Sequence, residues 1–131
     1  MEEVYEFLKN AGTFFLATEE ENQARVRPFG VVNIYDGKLY IQTGRKKNVA
    51  KQIAINPAVE ICAVKDGKWI RVSGELIDDD RVEAKKSMLD AHPELRKIGY
   101  DENDKNTEVL YFTNATATIS SFTEEPKVIK F

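Results

Sequence analysis

Cysteine and histidine each occur once in these 131 residues, as Cys62 and His92. A single cysteine cannot close an internal disulfide, and one thiol with one imidazole is too small a ligand set for a structural zinc site, so no metal is expected. Surplus positive charge is missing as well: 19 Lys and Arg stand against 22 Asp and Glu, a formal net charge of -3. Duplex affinity rests on neutralising many phosphates, so no nucleic-acid partner is expected. No apolar run approaches the roughly 20 residues of a membrane span. The N-terminal MEEVYEFLKN lacks the basic-then-apolar order of a signal peptide. The expectation is a cytoplasmic chain with no membrane partner. Neither GxGxxG nor GxxxxGK followed by Ser or Thr occurs, which removes the commoner nucleotide-binding loops.

What is present is a core and one unusual junction. With 42% hydrophobic residues, a chain of this length suits a single domain, residues 1–131. From Leu39 the sequence alternates, placing Leu39, Ile41 and Thr43 on one strand face and Tyr40 and Gln42 on the other. After Gly44 the period becomes helical through Val49, Ala50, Ile53 and Ala54, and Pro57 ends the helix near Asn56. Thr43-Gly44-Arg45-Lys46-Lys47-Asn48 therefore spans a strand-to-helix junction. A helix start offers unpaired N–H groups and the positive end of a dipole. Here a hydroxyl, a glycine and three cations join them, a set suited to a phosphate.

The rest of the chain reads as successive antiparallel strands. Val4, Phe7, Leu8 and Ala11 form the apolar stripe of an opening helix, which Gly12 closes. Thr13–Thr18 and Ala24–Ile34 pair as a hairpin across a polar turn, with Pro28 limiting the pairing of the second strand. Asp36-Gly37 and Asp66-Gly67 are hairpin turns. They lead into strands from Leu39 and over Lys68–Ile77, the latter preceded by Ala58–Lys65. Asp78-Asp79-Asp80 supplies N-cap candidates for a helix over Arg81–Ala91, and His92-Pro93 ends it. Strands over Glu108–Asn114 and Thr116–Phe122 follow, and the apolar tail (Val128, Ile129, Phe131) docks. The fold expected is mainly β (α+β), a six- to seven-stranded antiparallel split β-barrel with a few short flanking helices. Cys62, between Ile61 and Ala63, reads as an inert core thiol, and His92 as a helix-end residue.

Four stretches together, RVRPF at 25–29, LYIQTGRKKNVAKQIAINPAVEI from Leu39, KWIRVSGEL from Lys68 and EVLYFTNATATISSFTEEPKVIKF from Glu108, resemble the pyridoxamine 5'-phosphate oxidase-like, FMN-binding split-barrel family in its short-chain members. The resemblance implies FMN in a groove between the two subunits of a homodimer. It puts Arg25 and Arg27 near the phosphate or the pyrimidine edge, and Thr43, Gly44, Lys46, Lys47 and Asn48 around the phosphate. Val26, Pro28 and Phe29 then lie beside the ring, Gln52 faces the cofactor from the helix, and Trp69 is a contact from the partner chain. A dianionic phosphate calls for such donors. The alternative for Arg25 and Arg27 is cross-strand pairing with Glu19 to Glu21, and for Trp69 it is core or interface packing. The namesake oxidase is longer, and its substrate-binding C-terminal Arg and His have no counterpart here, so pyridoxamine phosphate oxidation is not expected. Two functions stay open. One is a flavin-dependent oxidoreductase using a small-molecule electron donor and a small organic acceptor. The other is a non-catalytic flavin, deazaflavin or haem binding or sensing module.

Overall fold

Three two-residue turns set the frame of the computed structural model, which describes residues 1–131. Glu21-Asn22, Asp36-Gly37 and Asp66-Gly67 all take positive φ (50° and 68°, 51° and 71°, 53° and 76°). Paired left-handed residues match the twist of the strands they join and fold each strand straight back. They link Phe14–Glu20 (β1) to Gln23–Phe29 (β2), Val32–Tyr35 (β3) to Lys38–Gly44 (β4), and Ala58–Lys65 (β5) to Lys68–Asp79 (β6). The expected single strand over Ala24–Ile34 is thus two strands. Its halves pair with different neighbours, β2 with β1 and β3 with β4.

Thr107–Ser120 (β7) is one continuous strand where a break at Ala115 was expected. Asn114, the last residue of the first expected strand, has φ 51° and sits opposite a register shift between Ser73 and Glu75. A bulge there bends both long strands without ending their pairing. Gly74 allows the bend, because a Cβ on it would lie 3.1 Å from both Ala115 Cα and Thr113 O. The tail docks as expected: Lys127–Lys130 (β8) pairs with β7, and Phe131 exchanges two backbone hydrogen bonds with Ala115.

The sheet order is β2-β1-β5-β6-β7-β4-β3, all antiparallel, with β8 an eighth strand off that path. Its two end strands, β2 and β3, are consecutive in sequence. Three peptide steps from Phe29 to Val32 span at most about 11 Å, so the sheet must curl until its ends nearly meet. They meet without pairing. The result is a barrel split between β2 and β3.

Inside lie alternate residues of β1 and of β3 to β7, among them Phe14, Leu16, Ile41, Ile61, Ile70, Val72 and Leu110, with Phe29 of β2 and Ile129 of β8 half-buried against them. Glu2–Ala11 (α1) packs Val4 and Leu8 onto this core, and Asn48–Ile55 (α2) packs Val49 and Ile53. On the other side of β4 and β7, Val82–Ala91 (α3) covers Tyr40 and Val109 with Ala84 and Met88. The start of α3 differs from expectation. No side chain caps it. Instead Asp79, nearly buried, accepts from the Arg81 N–H (3.2 Å), the Arg81 guanidinium (2.8 Å) and the Tyr40 hydroxyl (2.7 Å). Those donors, Arg81 foremost, hold the Asp79 carboxyl down at about 2. His92 ends α3, with Nε2 2.8 Å from Val32 O. Cys62 corrects the sequence reading: it is exposed on the outer face of β5, because Ile61 and Ala63 take the inward positions of the alternation. No helix is long and apolar enough to cross a membrane.

Candidate functional site

Two adjoining cavities open at the split, and Arg27 on β2 stands between them. Its Nη1 donates to Leu16 O (3.1 Å) and to Thr18 Oγ1 (2.8 Å), and its Nη2 to Gln52 Oε1 (2.6 Å). Thr18 in turn donates to the same Gln52 oxygen at 2.5 Å, while Gln52 Nε2 donates to Glu20 (3.2 Å). A guanidinium has five N–H donors. Three are used here, which leaves Nε–H and one Nη2–H for a ligand. Desolvation first, then Arg25, lowers the Arg27 pKa below the ordinary guanidinium value, but an arginine stays charged at any working pH. Arg25 itself is half-exposed and reaches Glu20 at 3.4 Å, the cross-strand pairing weighed for it.

The outer cavity, an open groove of about 580 Å³, is polar. Arg25, Val26, Arg27 and Pro28 form one wall, and Lys47, Asn48, Val49 and Gln52 at the start of α2 form the other. No side chain caps α2, and the backbone N–H groups of Asn48 and Val49 have no acceptor within the chain. Free N–H donors, a helix dipole and the Lys47 ammonium favour an anion here, while the Glu20 carboxylate on the same lining is engaged by Gln52 and Arg25. The inner cavity, about 260 Å³, is half apolar. Pro28, Phe29, Gly30 and Val31 line it from the split, and Gln42, Thr43 and Val49 from the barrel rim. Leu95 on the short helix Glu94–Lys97 (α4), with Ile98 and Tyr100 beyond it, closes the far side.

Of the residues singled out from sequence, the structure gathers Arg25, Val26, Arg27, Pro28, Phe29, Thr43, Lys47, Asn48 and Gln52 around these cavities. Three lie elsewhere. Lys46 is exposed and lines neither cavity. Its backbone N–H bonds to Asn106. Gly44 also lines neither, and what its missing Cβ makes room for is the Asn106 side chain and the Tyr100 hydroxyl, 3.1 and 3.3 Å from the Cβ position. Trp69 lies on β6, its ring 5.1 Å from that of Phe122, beside a separate groove with Arg71 and Thr118. Within one chain it is remote from Arg27. Arg45, one of the three junction cations, turns away to Asp78 (2.5 Å) and Glu108 (2.6 Å). Burial, then the Asp78 charge, pushes the Glu108 carboxyl up to about 7.

Sequence reasoning missed Thr18, Gln42 and the α4 wall. Thr18 closes an otherwise apolar strand, and Gln42 is an amide inside the buried run of β4, a polar residue in a core strand being the signal available. Leu95, Ile98 and Tyr100 come from a segment whose pattern shows no relation to the barrel.

A split barrel with a cationic groove at its seam is a recognisable class, and the comparisons place the chain within it. The sequence model described as pyridoxamine 5'-phosphate oxidase matches residues 1–89. The chain belongs to the pyridoxamine 5'-phosphate oxidase-like split-barrel family. It is similar over its whole length to a NimC/NimA family protein from Clostridium acetobutylicum, with 45% identity, coverage of 100% of this chain and 92% of that one, and a TM-score of 0.96. General Stress Protein 26 from Bacillus anthracis shares the fold at 17% identity, TM-score 0.78, over 99% of this chain and 97% of that one. A heme binding protein from Mycobacterium smegmatis shares it at 12% identity, TM-score 0.70, over 94% of this chain and 57% of that one. No curated protein sequence matches.

Proposed function

We propose that this chain binds FMN at the split and is a flavin-dependent oxidoreductase that takes electrons from a small-molecule donor and passes them to a small organic acceptor. The observation that carries the reading is the Arg27 guanidinium, fixed by three hydrogen bonds between an anion-binding groove and a half-apolar cavity. A mononucleotide with a flat ring needs such a pair of spaces joined by a cation. Lys47, Asn48 and the free N–H groups of α2 would take the phosphate. Pro28, Phe29 and Val49 would flank the ring, with Thr43 at the rim. When bound, FMN supplies the hydride and electron transfer, and the protein supplies orientation and field. Arg27 would supply a permanent positive charge that favours negative charge on a reduced ring. No carboxylate lines the inner cavity, so an acceptor's proton has Tyr100, Lys47 or solvent as its source.

The donor set speaks for a flavin over a haem. Neither His92 nor Cys62 lines either cavity, and His92 Nε2 is engaged with Val32. A haem would therefore find no imidazole or thiolate there, and the Tyr100 phenol is the one axial-ligand candidate on the lining.

The same reading includes a homodimer. Phe15, Val64, Val26 and Phe122 are 49%, 67%, 67% and 94% exposed. Strand register sets Phe15 beside both Cys62 and Pro28, and Val64 beside Trp69. An apolar strip thus runs from the Trp69–Phe122 pair to Pro28 at the edge of the cavities. Covered by a second copy, it would bring the partner's residues to the groove, and Trp69 would then join the site from the partner chain.

Equilibrium titration with FMN, followed by flavin fluorescence and compared with riboflavin, tests the proposal. FMN should bind at least about tenfold tighter because only FMN carries the phosphate. Equal affinity would remove the phosphate cradle, and a bound flavin that no reduced nicotinamide and no acceptor in a panel could cycle would leave a binding module.

A further inference from the structure

The Gln42 side chain is 6% exposed, yet neither its Nε2 nor its Oε1 has a hydrogen-bond partner in the chain. Both atoms of a buried amide left unpaired run against the rule that buried polar groups are satisfied. Its neighbours explain the lack. Across the sheet it faces Val109, and on its own strand face Tyr40 gives its hydroxyl to Asp79. Gln42 also lines the inner cavity, together with Arg27 and the apolar Leu95 and Ile98, its two amide atoms being closed to solvent. Leucine or methionine would fill this place without an orphaned amide, so the polarity answers to something that enters the cavity.

A carboxamide offers a donor and an acceptor side by side, and its full complement is a planar edge with an adjacent acceptor and donor. A flavin ring carries such an edge in its pyrimidine imide, where N3–H lies between two carbonyls. We propose that Gln42 reads this imide edge, its Oε1 accepting from N3–H and its Nε2 donating to a neighbouring carbonyl, and so selects flavins by the chemistry of N3. The assignment rests on the FMN reading above. Arg27 and Gln42 then divide the work: Arg27 supplies charge that any anionic ring edge would attract, and Gln42 supplies the donor–acceptor pattern that discriminates. A buried amide that only the ligand pairs is costly to keep unpaired without it.

The test measures the affinities of FMN and of N3-methyl-FMN, which lacks the N3–H, for the wild-type chain and for Gln42→Met. The wild-type chain is expected to prefer FMN by at least about tenfold, and Gln42→Met to bring the ratio close to one while its thermal midpoint holds or rises. Wild-type affinities equal for the two flavins, or a preference that survives in Gln42→Met, would overturn the assignment and leave the FMN site standing. A wild-type chain that binds neither flavin would overturn the cofactor reading, and this assignment with it.

Discussion

Arg27 Nη2 and Gln52 Oε1 lie 2.6 Å apart, a charge-assisted hydrogen bond that ties edge strand β2 to helix α2 across the mouth of the outer groove. Thr18 bonds to both partners, at 2.8 Å to Arg27 and 2.5 Å to Gln52, and closes a triangle. A long cation that would otherwise sample many rotamers is held in one, so its ordering cost falls on folding and not on ligand binding.

Replacing Arg27 therefore separates charge from geometry. Arg27→Lys keeps the charge and loses the fork, and FMN affinity should fall about tenfold with folding intact. Arg27→Ala also takes the charged donor away from Leu16 O, Thr18 and Gln52, leaving the last two only their mutual bond and that of Gln52 to Glu20, and should cost about 1–3 kcal/mol of stability in addition to the affinity. Urea unfolding with parallel FMN titrations reads both.

Glu108 makes stability depend on pH in an unusual direction. Its folded pKa, about 7, stands above its ordinary 4.5, so the folded chain holds a proton that the unfolded chain has released between these values. Its contribution is complete below about pH 4.5 and is lost as pH rises to about 7, a loss of at most about 3 kcal/mol. Glu108→Gln should be less sensitive to pH than wild type across that window. Thermal midpoints of the two proteins at pH 5 and pH 8 check it.

At Gly74 the bulge leaves no room for a side chain. The Cβ of Gly74→Ala would meet backbone of β7 at 3.1 Å on two sides, and backbone cannot swing aside as a side-chain end can. A loss of about 1–3 kcal/mol in denaturant unfolding is expected, with FMN affinity little changed because the bulge lies away from both cavities.

Much of this was legible in the sequence, and what was not has physical reasons. The Asp-Gly turns and the change of period after Gly44 are local signals, and the hairpins and α2 lie where those signals put them. The division of Ala24–Ile34 between two ends of the sheet is not local, since nothing in that run tells which neighbour each half will find. Arg45 looked like part of the phosphate cluster because spacing shows that cations are near one another but not which carboxylates claim them, and Asp78 and Glu108 are distant in sequence. The inner cavity's far wall was hidden for the same reason. Leu95 and Tyr100 reach it only through the packing of α3 against β4 and β7.

Charge on the exposed strip should divide the proposed homodimer. Val64→Lys or Phe15→Glu is expected to shift the mass in light scattering from about 30 kDa, twice the 14.9 kDa of one chain, to that of the single chain. FMN affinity should fall with it, because each site would lose the partner's Trp69 side. A wild-type chain that is monomeric with FMN bound would refute the shared site.

The visible absorption spectrum of the freshly purified protein, with the supernatant after heat denaturation examined for FMN, tests the central claim most directly. Oxidised-flavin bands and about one FMN released per chain are the predicted result. A colourless protein that also fails to take up added FMN would contradict the account.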